Sequence, residues 1–148
     1  DLEEKKYYKE AKHLKKPVIS ICRGSQFICV MNGGKLVQHQ ENPSFLHNIQ
    51  TYDGRTLEVT STHHQAAFPY NLPQEDYELI GWSENLSRFH LDGNNEEMNP
   101  PYEAEVVYYP KSNDLGIQSH PEMYNNKEVH VYFNNLIKEK LLCKKQSR

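Results

Sequence analysis

Apolar positions along the chain fall into short blocks with two different periods. Val18 to Ile21 is a brief run rich in β-branched residues behind Pro17, and it predicts a buried strand. Phe27, Ile28, Val30 and Met31 then recur at helical spacing and stop at Asn32-Gly33-Gly34, where glycine ends a helix. Alternation around Leu57 and Val59 predicts a strand over Thr56–Thr60. Tyr77–Ser83, with Trp82 in the core, and Glu103–Tyr109 read as further strands, and Lys35–His39 and Leu115–His120 as brief ones. Two helices flank this set. Leu2, Tyr7, Tyr8, Ala11 and Leu14 mark a loose apolar stripe over 1–16, and Val129, Tyr132, Phe133, Leu136, Ile137 and Leu141 a stronger one from Asn126 to about Cys143. Asn42-Pro43, Asp53-Gly54 and 110–114 are turn signals, 40–50 and 66–76 read as loops, and 84–101 as a loop or hairpin insertion. Lysines and Arg148 close the chain, where cations suit a helix end.

Composition narrows the class. The sequence has 148 residues, 25% charged and 36% hydrophobic, which is enough for one domain with a real core. No apolar run reaches the ~20 residues of a membrane span, and no signal peptide opens the sequence at Asp1. A net charge of −3 argues against general nucleic-acid binding. The three cysteines, Cys22, Cys29 and Cys143, lack metal-ligand spacing and suit a reduced, cytoplasmic setting. His39 and His47 have no cysteine or carboxylate framing them as a metal pair, so surface or pocket positions are expected.

The chemistry concentrates at two places. Cys22 stands between the strand and the helix, followed by Gly24. A residue there projects from the sheet edge near unpaired N–H groups and the positive helix end, which favours thiolate. Small neighbours, Ser20 and Gly24, leave room for a tight turn of the nucleophile-elbow kind. A buried free cysteine is common, so Cys22 alone would read as packing. Far downstream, His120 and Glu122 flank a rigid proline. A carboxylate on one imidazole nitrogen fixes the tautomer and leaves the other nitrogen to take a proton from a thiol.

Ile21-Cys22-Arg23-Gly24-Ser25-Gln26 with Gly33-Gly34 resembles the nucleophile motif of class I glutamine amidotransferases, although Ser20 stands where that family usually has glycine. Leu115-Gly116-Ile117-Gln118-Ser119-His120-Pro121-Glu122 is similar to their Gly-x-Gln-x-His-Pro-Glu signature, in the same order along the chain. Ser61-Thr62-His63-His64-Gln65 resembles a Ser-x-His-His-Gln segment common in the γ-glutamyl hydrolase branch. The resemblance implies an α/β, flavodoxin-like three-layer sandwich with a mostly parallel sheet and the site at the carboxyl ends of its strands. It implies a Cys22, His120, Glu122 triad, an oxyanion donor at the Arg23 backbone N–H, and a substrate pocket at Gln26, Ser61, Thr62, His63 and His64. It implies no metal and no organic cofactor.

The activity implied is hydrolysis of the glutamine side-chain amide through a cysteine thioester, giving glutamate and ammonia, with a synthase subunit passing the ammonia to an acceptor. The alternatives are a stand-alone hydrolase of γ-glutamyl compounds and a non-catalytic binding module that kept the fold. Members of the family carry about 50 to 80 further residues before the elbow strand, a size compatible with ordinary domains. The single domain at 1–148 is therefore expected to lack the family's N-terminal strands, whether as a fragment, through loss, or because another chain supplies them.

Overall fold

Two strands far apart in sequence set the architecture. β1 (Val18–Ile21) and β10 (Asp114–Ile117) pair in parallel, with Ile21 opposite Ile117. The computed structural model describes residues 2–41, 45–84 and 87–143. The turn expected at Asn42-Pro43 and the cationic tail with Arg148 lie outside them.

Between β1 and β10 run α2 (Arg23–Met31), β2 (Lys35–Val37), β3 (His39–Gln40), β4 (Leu46–Thr51), β5 (Thr56–Thr60), β6 (Ala66–Phe68), β7 (Glu78–Ser83), β8 (His90–Leu91) and β9 (Glu103–Tyr109). Among the described residues the main sheet has six strands in the order β1-β10-β9-β7-β4-β5, and β2-β6 and β3-β8 form small separate ribbons. Within that sheet the β1–β10 pair is parallel, and the other described neighbours are antiparallel. The sheet is thus mixed, not mostly parallel. The reason lies in the turns: Gly54 at φ 84 closes β4 onto β5, and Asn113 at φ 57 closes β9 onto β10. Hairpins of this length can only join antiparallel strands.

Three layers result. On one face, α1 (Leu2–His13) and α2 cover a cluster that includes Tyr8, Ile28, Cys29, Val107 and Tyr109. On the other, α3 (Lys127–Ile137) sets Val129, Tyr132, Phe133 and Leu136 against Ile49, Leu57, Val59, Val106, Leu115 and Ile117. The Asn126 side chain caps α3 by accepting from the Glu128 and Val129 N–H groups.

Several expectations shift. α1 ends at His13, and only Tyr8 of its stripe is buried; Leu2, Tyr7 and Leu14 are exposed, because α1 lies at the sheet's edge. Trp82 is half-buried against Tyr102. The polar stretch expected as loop contains β4, whose Ile49 is completely buried while its other positions are mostly polar. Residues 66–76 include the short strand β6, and 84–101 does hold a hairpin-like strand, β8. Among the described residues no helix is long and apolar enough to cross a membrane.

Candidate functional site

Parallel pairing delivers two chain segments to one edge. β1 ends at Ile21 and β10 at the paired Ile117, so Cys22 and the Gln118–His120 segment leave the sheet together. The Cys22 N–H donates to the Ile117 carbonyl at 2.8 Å, and the Cys22 carbonyl accepts the first helical bond from Ser25 at 2.9 Å. The turn this demands is tight: Cys22 has φ 50 and ψ −112, a region an L-residue rarely occupies. Ser20 is tolerated because residue 24 has no side chain; a Cβ on Gly24 would come within 3.1 Å of the Ser20 Cβ. α2 also packs hard on β10, where a Cβ on Gly116 would meet the Ser25 Oγ at 2.8 Å.

The thiol itself departs from expectation. Burial pushes the Cys22 thiol above its ordinary value; the Arg23 backbone N–H pulls it down, and the charges of Glu122 and Glu105 add to the rise. Helix-end stabilisation is therefore outweighed by desolvation and two carboxylates. The Arg23 side chain points away to Glu4, with Nη1 to Oε1 at 2.5 Å.

His120 is held from three directions. Its backbone N–H donates to Thr60 Oγ1 at 2.7 Å, and its Nδ1–H donates to Glu122 Oε1 at 2.7 Å. The following turn, Pro121–Met123, is pinned by His130 Nε2, which donates to the Pro121 carbonyl at 2.8 Å. The bond to Glu122 leaves His120 Nε2 as the lone-pair nitrogen.

Beside Cys22 opens a cleft of about 420 Å³, lined by Arg23, Gln26, Thr62, His63 and His64 together with Gln38, His39 and Gln65. Five expected residues thus meet around the sulfur. Ser61 is buried and does not line the cleft, and neither do His120 and Glu122. His39, not His47, is the histidine of that pair that reaches it. Gln26 commits its Nε2 to the Gln65 carbonyl at 2.8 Å and to Gln118 Oε1 at 3.3 Å, so its donors serve the protein. Among the described residues no group of histidine, cysteine and carboxylate is placed to hold a metal ion. Cys29 is buried and Cys143 exposed, both as free thiols.

Two residues of consequence escape the sequence reading. Gln118 lies inside the His-Pro-Glu signature and donates its Nε2 to Cys22 Sγ at 3.8 Å. Glu105 carries no signal beyond an acidic residue in an alternating strand, where an exposed position is the ordinary expectation. It is nevertheless buried, with His47 Nε2 at 2.9 Å and His63 Nε2 at 3.9 Å from its Oε1. Burial lowers the pKa of His47, but the hydrogen bond to Glu105, the Glu105 charge and the Glu103 charge outweigh it and raise the value. A histidine whose folded value lies above its unfolded value of about 6.5 stabilises fully below that value and loses the contribution as pH rises through the folded one. The melting-temperature gap between the wild type and His47→Gln should therefore narrow on going from about pH 6 to about pH 9. A gap that stays constant across that range would show that the pair does not couple to folding.

The family model described as Peptidase C26 matches residues 1–66. No curated protein matches. Among solved structures, one assigned as a component of a GMP synthase, from Thermoplasma acidophilum, is 19% identical with a TM-score of 0.59, over 82% of this chain and 55% of that one. A glutamine amidotransferase from Thermotoga maritima is 18% identical with a TM-score of 0.58, over 98% of this chain and 56% of that one. A glutamine amido transferase from Methylobacillus flagellatus is 17% identical with a TM-score of 0.54, over 87% of this chain and 47% of that one. The chain spans about half the length of these structures. At such identities the likeness is one of fold.

Proposed function

We propose amide hydrolysis at a γ-glutamyl group through a thioester on Cys22, a reading supported by the Peptidase C26 match over residues 1–66 and by the fold shared with glutamine amidotransferases. The Cys22 sulfur attacks the carboxamide carbon. The Arg23 backbone N–H donates to the oxygen as it gains charge. His120 Nε2 takes the thiol proton and returns it to the leaving nitrogen, so the C–N bond breaks and ammonia departs. Glu122 keeps His120 in the tautomer this requires. Water then attacks the thioester carbon, its proton going to His120, and glutamate leaves with the sulfur restored as thiol. Thr62, His63 and His64 hold the α-carboxylate and α-ammonium groups, with Ser61 anchoring their loop and Gln26 acting from behind. No step needs a metal or organic cofactor.

What supports this reading above all is the parallel β1–β10 register, which sends the Cys22 turn and the segment leading to His120 off the same sheet edge. In the amidotransferase version the ammonia goes to an acceptor on a synthase partner. The cleft of about 420 Å³ is of ordinary small-molecule size and admits either substrate, so turnover has to choose between the amidotransferase and hydrolase versions.

The test is a substrate comparison on the full-length natural protein. Ammonia and glutamate released from glutamine would be measured beside amine released from γ-glutamyl amides of increasing size. Faster turnover of glutamine assigns the amidotransferase version, and faster turnover of the larger amides the hydrolase. Turnover of neither, alone or with added synthase, would sink the catalytic reading and leave a binding module.

A further inference from the structure

The reacting sulfur lies at the end of a chain of amides whose direction is locked. The anchor is the Gln65 main-chain carbonyl, which can only accept. Gln26 must therefore turn its NH2 toward it, and does so at 2.8 Å. The same NH2 faces Gln118 Oε1 at 3.3 Å. With its oxygen fixed there, Gln118 has its own NH2 toward Cys22 Sγ at 3.8 Å. Gln118 is 0% exposed and Gln26 5%, so solvent cannot compete for these bonds. Gln26 thus donates to both neighbours from one NH2, and its bond to Gln118 Oε1 polarises the bond that Gln118 makes to the sulfur.

We propose that Gln118 is a positioning residue that presents an N–H donor to the Cys22 sulfur, holding it as an acceptor and favouring its thiolate, with Gln26 as the residue that sets the orientation of Gln118. This rests on the reading of Cys22 as nucleophile. The consequence is chemical. A thiol beside this donor cannot point its S–H at Gln118, so the proton faces elsewhere, open to a base. Once the proton leaves, the anion keeps a charge-assisted hydrogen bond in a site where burial, Glu122 and Glu105 all disfavour it. Gln118 is the side chain that offsets them, alongside the Arg23 N–H.

The test reads the thiol directly, without turnover. Iodoacetamide alkylation of Cys22 is followed against pH in a Cys143→Ser background, since Cys143 is exposed and Cys29 buried. Gln118→Met keeps the length and removes the donor; its alkylation midpoint should rise by about one pH unit, which is about tenfold slower reaction at pH 7. Gln118→Glu replaces the donor by an anion and should rise further. Gln26→Met frees the Gln118 amide to turn and should shift the midpoint in the same direction by less. That variant carries the test if Gln118→Met does not give a native circular-dichroism spectrum and melt. An unchanged midpoint in a folded Gln118→Met, or in Gln26→Met should that one be needed, overturns the proposal. The nucleophile reading fails by a different result, full amide hydrolysis by Cys22→Ser, which the alkylation curve does not report.

Discussion

Replacing Cys22 with glycine is expected to remove turnover and yet give a protein more stable than Cys22→Ala. The loss of turnover follows from the nucleophile: without the sulfur no thioester forms, and a drop of about four to six orders of magnitude is the usual scale for such a deletion. The gain in stability follows from the backbone. At φ 50 and ψ −112 any side chain is strained, whereas glycine occupies that mirror-image extended region freely. Such strain costs on the order of 1–3 kcal/mol, and the extra freedom of an unfolded glycine takes back about 0.5–1. A net advantage of about 1 kcal/mol over alanine corresponds to roughly 3 °C in melting temperature for a chain of this size. Both readouts use the same two variants. If Cys22→Gly melts below Cys22→Ala, the turn stores no strain; if either variant keeps turnover, Cys22 is not the nucleophile. The two results together would say that the protein holds its sulfur forward at the expense of its own stability.

How much of this was legible in the sequence depends on whether local chemistry or distant pairing decides a feature. The β1–α2 turn, α3 and the segment around His120 are local. Their periodicity, glycines and proline state them outright, and the structure has them within a few residues. β4 is not local. Its polar residues look like a loop, and it becomes a strand because β5 and β7 flank it, with Ile49 filling the core between them. The same holds for the sheet's mixed direction. Asp53-Gly54 reads as a turn, but that it closes a hairpin follows only once β4 is known to precede it. At the site, residue types are readable and environments are not. A helix start argues for a lowered thiol, while burial and the charges of Glu122 and Glu105 raise it. Glu105 lies more than eighty positions from Cys22 in sequence, and only the packing of β9 beside β10 brings its charge near. Gln118 sits in the His-Pro-Glu signature, yet its role as donor depends on Gln26 and the Gln65 carbonyl, a relation no spacing encodes.

The same distant logic makes Asp114 the residue whose loss should cost the fold most. It is 0% exposed at the start of β10 and accepts from three side chains on two helices. Tyr8 Oη donates at 2.6 Å from α1, Asn32 Nδ2 at 3.2 Å from the end of α2, and Lys12 Nζ forms an ion pair with it, again from α1. Burial, then the hydrogen bond and charge of Asp114, hold the Tyr8 hydroxyl well above its usual range, so it stays a donor. Asp114→Ala takes the acceptor from the Tyr8 hydroxyl and the counter-charge from Lys12, while Lys12 Nζ keeps the Lys16 and Ser112 carbonyls and Asn32 Nδ2 the Ile28 carbonyl. Breaking a buried pair in this way costs about 3–5 kcal/mol. The Lys12 side chain is 22% exposed and can turn partly to water, which argues for the lower end. A fall of about 3 kcal/mol is roughly 10 °C in melting temperature. Lys12→Met with Asp114 intact removes the ion pair together with the Lys12 bonds to the Lys16 and Ser112 carbonyls: Tyr8 and Asn32 still satisfy the carboxylate, so its loss should be smaller. Equal losses would assign the whole effect to the charge pair, and no loss in either variant would remove Asp114 as the anchor. Asp114 begins the strand that ends at Ile117, beside the turn that holds Cys22, so a loosened start should also reach the site. Asp114→Ala kept well below its melting temperature should therefore lose turnover as well as stability, whereas a purely local anchor would leave turnover unchanged.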